Sequence, residues 1–162
     1  MFVVGDKIVY PMHGAGIIEE IEDKKILGES RRYYILRFSF GDLTIMLPVD
    51  SCDDLGIRSI VSDEKLIQVI GTLQDKSSIM SANWNRRYRE NMDKLKTGDV
   101  LLVAEVVRNL MRTDREKKLS TGEKKMLINA KQILSSEIIL IKDIDIKEAN
   151  NLIDKAINNL NN

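Results

Sequence analysis

Histidine and cysteine each occur once in the 162 residues, tryptophan once and proline twice. A lone cysteine cannot close an internal disulfide, and one Cys with one His cannot build a zinc site of the usual Cys/His type. Residues 1–6 lack the basic segment and long apolar core of a signal peptide. The longest apolar stretches, such as 100–104 and 138–141, are too short to span a bilayer. Charge of one sign is also missing: 25 basic side chains face 25 acidic ones, for a net charge of zero and a pI near 6.6. That balance argues against a strongly basic nucleic-acid coat, a polybasic membrane tether and an acidic tail. No nucleophile lies beside a base, and the acidic pairs Glu19-Glu20 and Asp53-Asp54 put neighbours on different faces without a catalytic partner. The reading is a soluble, cytoplasmic, monomeric protein that is not an enzyme and uses no metal or cofactor. Hydrophobic residues at 43% and charged residues at 31% place it among globular chains, with no internal repeat or long low-complexity segment.

The zero conceals two unlike halves. Residues 1–60 carry 7 basic and 10 acidic side chains, whereas 61–162 carry 18 and 15. Residues 84–131 alone hold 13 basic against 7 acidic. Six of the eight aromatics fall in the first 40 residues; the others are Trp84 and Tyr88. We expect two modules, residues 1–55 and 62–162, with 56–61 as a linker.

The first half carries strand signals. Residues 7–10 form a β-prone run ended by Pro11, and His13-Gly14-Ala15-Gly16 follows as a turn. Strands are expected at 16–21 and 33–40, with the polar stretch 22–32 between them. Tyr34, Leu36, Phe38 and Phe40 share one face by the two-residue period, as a barrel core would. Gly41-Asp42 signals a hairpin, after which Leu43, Ile45 and Leu47 alternate up to Pro48. Four or five short strands in so few residues suggest a small SH3-like or Tudor-like β-barrel. Gly14-Ala15-Gly16 is no phosphate loop, since strand-like residues follow it and no Lys-Ser/Thr does.

The second half carries helix signals. Ser62 caps a helix with Asp63 and Glu64 in its first turn and Leu66, Val69, Ile70 and Leu73 as its stripe. Residues 74–82 read as a loop, and Asn83 caps a helix to about 96. Gly98 stops that helix and Asp99 starts the next, whose residues 100–112 are apolar round much of the circumference. Ser120-Thr121-Gly122-Glu123 fits a capping box. From there Met126, Leu127, Ala130, Ile133, Leu134, Ile138 and Ile141 keep helical spacing. A last helix shows Ala149, Leu152, Ile153, Ala156, Ile157 and Leu160. The fold class is therefore α+β: a β-barrel followed by a compact five-helix bundle.

One segment stands apart. Asn83-Trp84-Asn85-Arg86-Arg87-Tyr88-Arg89 joins the only Trp to three arginines at a helix start. At 100° per residue Trp84, Tyr88, Met92 and Leu95 share one side, with Arg86 and Arg89 nearly opposite. Two readings follow from that spacing. Trp84 opens a core stripe and the arginines form a solvated face, or its ring projects past the helix end to stack on or wedge beside an unstacked base. Lys117, Lys118, Lys124 and Lys125 either extend that basic surface or simply solvate the chain.

The run Val4-Gly5-Asp6-Lys7-Ile8-Val9-Tyr10-Pro11-Met12-His13-Gly14 resembles the opening of the CarD/CdnL family of bacterial transcription regulators. So do Gly41-Asp42-Leu43-Thr44, the Trp84 segment, Gly98-Asp99-Val100, Ala104-Glu105-Val106-Val107-Arg108-Asn109-Leu110 and Leu119-Ser120-Thr121-Gly122-Glu123-Lys124-Lys125-Met126-Leu127. The likeness runs through essentially the whole chain in order. It implies a Tudor-like domain that binds the RNA polymerase β subunit, joined to a helical DNA-binding domain. The first part is also similar to the polymerase-binding domain of the transcription–repair coupling factor. By the same likeness, Trp84 would wedge into the minor groove at the upstream edge of the melted promoter bubble, stabilising the open complex. Arg86, Arg87, Arg89, Lys124 and Lys125 are then the DNA-binding candidates, while Lys24 and Met46 would face the polymerase. Some relatives carry a basic residue where this chain has Met46. Promoter DNA would be held weakly outside the polymerase complex, and that complex would bring the protein to the nucleoid. The alternative is an SH3-like (KOW-type) RNA-binding protein acting in translation, against which the acidic balance of residues 1–60 counts.

Overall fold

Alternating apolar residues and tight turns produce the first five elements of the computed structural model, which describes residues 1–159. They are β1 (Lys7–Tyr10), β2 (Gly14–Ile26), β3 (Glu29–Phe38), β4 (Thr44–Pro48) and β5 (Arg58–Ser59), with a 3-10 turn at Val49–Ser51. All pairings are antiparallel, in the order β4-β3-β2-β1-β5. A register shift between Ile18 and Glu20 marks a β-bulge in the β2–β3 pair. The inner face buries Ile8, Ile18, Tyr34, Leu36, Phe38, Leu47 and Cys52. The Tyr34/Phe38 face is therefore core, with Phe40 stacked on Phe38 at 5.3 Å between ring centres.

Two local features differ from the sequence reading. Gly14 and Ala15, expected in the turn before the strand, already belong to β2, pairing with Tyr10 and Val9 of β1, and close neighbours leave no room for a side chain at Gly14 or Gly16. A Cβ on Gly16 would sit 2.4 Å from the Arg37 carbonyl oxygen, and one on Gly14 would meet Ser136 Oγ at 2.9 Å. The polar stretch 22–32 is an extended hairpin arm that turns at Leu27-Gly28, both with positive φ. Asp23 and Arg32 are register partners along it, with their side chains 3.0 Å apart.

Five helices follow among the described residues: α1 (Asp63–Gln74), α2 (Trp84–Lys96), α3 (Val100–Glu116), α4 (Thr121–Lys142) and α5 (Ile146–Asn158). Ser62, Asn83, Asp99, Ser120 and Asp145 each accept a backbone N–H from the first turn of their helix, satisfying a donor that has no partner within it. α3 packs against α1, α2 and α4, burying Val100, Val103, Ala104, Val106, Val107 and Leu110. It runs one turn past the expected end at Arg112. Leu160, expected on the last stripe, lies outside the described residues.

The connection 56–61 is structured. Ser59 and Arg58 of β5 pair with Ile8 and Val9 of β1. The two halves meet along α4. Ser136 Oγ accepts the Ala15 N–H at 2.8 Å, and Ser39 Oγ donates to the Ser136 carbonyl at 2.8 Å. Glu137 accepts both terminal nitrogens of Arg58, at 2.8 and 2.9 Å, and the Val61 N–H at 2.9 Å. Val9, Ala15 and Leu140 form a small apolar seam with Ile60 against it. Pro11 lies over Gly98, where a Cβ would sit 2.8 Å from the Pro11 ring.

Candidate nucleic-acid interface

Asn83 starts α2 by accepting the Arg86 N–H at 3.0 Å, which places Trp84 at the first helical position. The Trp84 ring stacks on Tyr88 at 5.1 Å between centres and an interplanar angle of 20°. Its indole N–H donates to Ser120 Oγ at 2.9 Å. Gly122 lies close to the ring, so that a Cβ there would stand 3.3 Å from Cζ2. Trp84 nonetheless keeps 41% of its surface exposed. The ring therefore leans on the bundle while part of it stays open to solvent.

Ser120 does three things with one hydroxyl. It accepts the Trp84 indole N–H, accepts the Glu123 backbone N–H at 3.2 Å, and donates to Glu123 Oε1 at 3.2 Å. Its donor and both lone pairs are then in use. Glu123, only 3% exposed, takes Arg87 Nε at 2.8 Å and the Arg87 terminal nitrogen at 3.1 Å. These Arg87 bonds, reinforced by the Ser120 hydroxyl, hold the Glu123 carboxyl below the usual carboxylate range, against the opposing effect of burial. Reciprocally, the Glu123 hydrogen bonds raise the Arg87 pKa. Arg87 also donates to the carbonyls of Ser81 and Ala82, which tie down the chain entering α2.

The expected DNA-facing side chains therefore divide. Arg89, Lys124 and Lys125 are exposed, with no ion-pair partner among the described residues. Arg86 is exposed and pairs with Glu90 one turn on, at 2.8 Å, an interaction weak enough in water to yield to a phosphate. Arg87 is turned inward, with its donors spent on Glu123, Ser81 and Ala82. A shallow groove of about 640 Å³ opens beside Trp84, lined by Ser78, Lys117, Lys118 and Ser120 among others.

Lys24 and Met46 lie away from this cluster, on the sheet. Glu20, Ile35 and Met46 are aligned across β2, β3 and β4, and Lys24 lies two alternations along β2 from Glu20. Both side chains consequently occupy the outer face, opposite the buried Tyr34 and Leu47. Met46 is on the edge strand β4 and is exposed, while Lys24 pairs with Glu22 at 3.2 Å.

The features that spacing did not bring together are Ser120, Glu123 and Arg87. The capping-box signal pointed to the helix start but not to the partner that takes the carboxylate, which lies 36 residues away. Among the described residues no group of three or more His, Cys, Asp or Glu could hold a metal ion, and no helix is long and apolar enough to cross a membrane.

The chain is thus an antiparallel five-stranded sheet joined to a capped helical bundle that exposes a Trp at the start of α2, and the class of protein this defines is given by what it is similar to. The comparisons agree in both halves. Residues 2–61 match the family model for the CarD-like/TRCF RID domain, and residues 68–154 match that for the CarD C-terminal domain. A relative from Bacillus subtilis (strain 168), described as "Putative transcription factor YdeB", is 45% identical over 148 residues, covering 91% of this chain and 97% of its own. The chain belongs to the CarD family of transcription regulators.

Proposed function

We propose that the protein docks on the RNA polymerase β subunit through the outer face of its sheet and stabilises the promoter open complex by wedging Trp84 into the minor groove at the upstream edge of the bubble. The observation that carries this reading is an aromatic ring 41% exposed at the start of α2, in a helical domain whose α2 and α4 also expose the cations Arg89, Lys124 and Lys125. Arg86 joins them by releasing Glu90, whereas Arg87 serves from within by fixing the helix start.

Promoter opening is reversible, so a ligand with contacts only to the open form shifts the equilibrium toward it. Unstacking a base step costs roughly a few kcal/mol, and the opened promoter has already met that cost at the bubble edge. The cations then supply phosphate contacts that hold the ring in register. A protein of zero net charge grips free DNA weakly. Docking on polymerase would raise its effective concentration at the DNA to the order of millimolar.

The test compares open-complex lifetime with purified polymerase for wild type and Trp84→Ala. A shorter lifetime with polymerase binding intact is expected; equal lifetimes would refute the wedge. Recovery of ribosomal RNA in place of polymerase subunits in a pull-down would favour the translation-related alternative.

A further inference from the structure

We infer that Ser120 is a positioning residue: through its hydrogen bond to the indole N–H it fixes the Trp84 ring in the attitude from which it engages DNA. This rests on the wedge reading and adds what prepares the wedge. An exposed Trp at a helix start ordinarily samples several rotamers. Here three contacts restrict it: the stack on Tyr88, the close approach of Gly122, and the 2.9 Å bond to Ser120. Only the last is directional, and it acts at the rim of the ring where a small rotation would break it.

Ser120 is itself held. Its hydroxyl donates to Glu123, so its lone pairs are left for the Trp84 indole N–H and the Glu123 backbone N–H. Glu123 is fixed by Arg87, and Arg87 by the carbonyls of Ser81 and Ala82 immediately before the α2 cap. The chain of bonds closes on itself: it leaves α2 at Arg87, crosses to α4, and returns to α2 at Trp84. The α4 cap therefore sets the attitude of a side chain on another helix. Ordering a flexible side chain on binding costs affinity, and a ring ordered beforehand avoids most of that loss. Removing the Ser120 acceptor should therefore shorten the open-complex lifetime about two- to ten-fold.

The sole Trp makes the experiment selective, since indole fluorescence and the single indole N–H resonance report only Trp84. Ser120→Gly removes the hydroxyl while glycine remains a serviceable N-cap, and Ser120→Thr restores the acceptor. In Ser120→Gly the indole N–H should exchange faster with solvent and Trp anisotropy should fall. Open-complex lifetime should shorten in parallel, and Ser120→Thr should recover all three. In a Trp84→Phe background, which has no indole N–H, Ser120→Gly should change lifetime no further. An unchanged indole signal in Ser120→Gly would overturn the inference, as would an equal loss of lifetime in the Trp84→Phe background. If Trp84→Ala itself leaves lifetime unaltered, the wedge reading is what fails, and the indole signal separately decides whether Ser120 orders the ring.

Discussion

Glu137 is the side chain whose loss should most weaken the joint between the two halves. It is 3% exposed and accepts three hydrogen bonds: two from Arg58 and one from the Val61 N–H. In Glu137→Ala the Arg58 guanidinium keeps only backbone partners, the Gly98 and Ser59 carbonyls, and the Val61 N–H loses its acceptor. Breaking a fully buried pair typically costs about 3–5 kcal/mol. The Arg58 side chain is 28% exposed, so water recovers part of its charge, which lowers the expected loss to roughly 2–4 kcal/mol. For a chain of this length that corresponds to a fall in Tm of roughly 4–16 °C. Urea and thermal unfolding of Glu137→Ala, Arg58→Ala and the double variant measure it. The double should lose much less than the sum of the singles, because either change alone removes the pair. Strict additivity, or a loss below about 1 kcal/mol in Glu137→Ala, would show that the pair does not hold the joint. In transcription, the same variant should still bind polymerase but prolong open complexes less than wild type does.

Arg87 and Arg89 should separate cleanly although they are neighbours in sequence. Arg87→Ala leaves the Glu123 carboxylate without its main partner and should cost roughly 2–4 kcal/mol in unfolding experiments, whereas Arg89→Ala should leave stability unchanged. Arg89→Ala should instead reduce the log–log salt dependence of promoter binding in the polymerase complex by about 0.9, the share of one phosphate contact. Because Glu123 titrates below its usual range in the folded protein, its ionised form contributes stability at neutral pH that disappears as pH falls through that lowered value. The Tm gap between wild type and Glu123→Gln should accordingly persist from neutral pH down to the ordinary carboxylate range, about pH 4, and narrow as the pH falls below it; a gap that does not narrow there would refute the assignment.

What could be read from the chain beforehand was whatever local chemistry decides. Ser62, Asn83, Asp99 and Ser120 announced their helices because a capping side chain acts within three residues. The inner face of β3 was legible from its two-residue period. The β2–β3 arm was not, since it extends beyond the core, is solvated on both faces and carries no alternation; Asp23 and Arg32 stabilise it across the strands instead. The last turn of α3 was hidden for a related reason. Thr113, Asp114, Arg115 and Glu116 continue the helix after its apolar stripe has run out. Ser136 and Glu137 interrupt the α4 stripe and look like surface positions, because their partners Ala15 and Arg58 lie 121 and 79 residues away. Arg87 is the same case within the site. Its spacing beside Arg86 and Arg89 suggested solvent, and a carboxylate 36 residues distant turned it inward.

α4 unites these observations. Its N-cap, Ser120, holds the Trp84 indole, and its later turns carry Ser136, Glu137 and Leu140, which meet β1, β2 and β5. Sixteen residues of continuous helix separate Ser120 from Ser136, about 24 Å at 1.5 Å per residue. A helix held near its start by the Glu123–Arg87 pair and in its later turns by Ser136 and Glu137 transmits position with little slack. Under the proposed function, the sheet face carrying Lys24 and Met46 docks first, and one stiff element then determines where the ring stands relative to polymerase. A flexible tether would supply only high local concentration, whereas α4 also supplies direction. The absence of excess positive charge fits that division of labour: a ring delivered at a fixed place needs few phosphate contacts, and under the proposed function the exposed Arg89 of α2 and Lys124 and Lys125 at the start of α4 supply them.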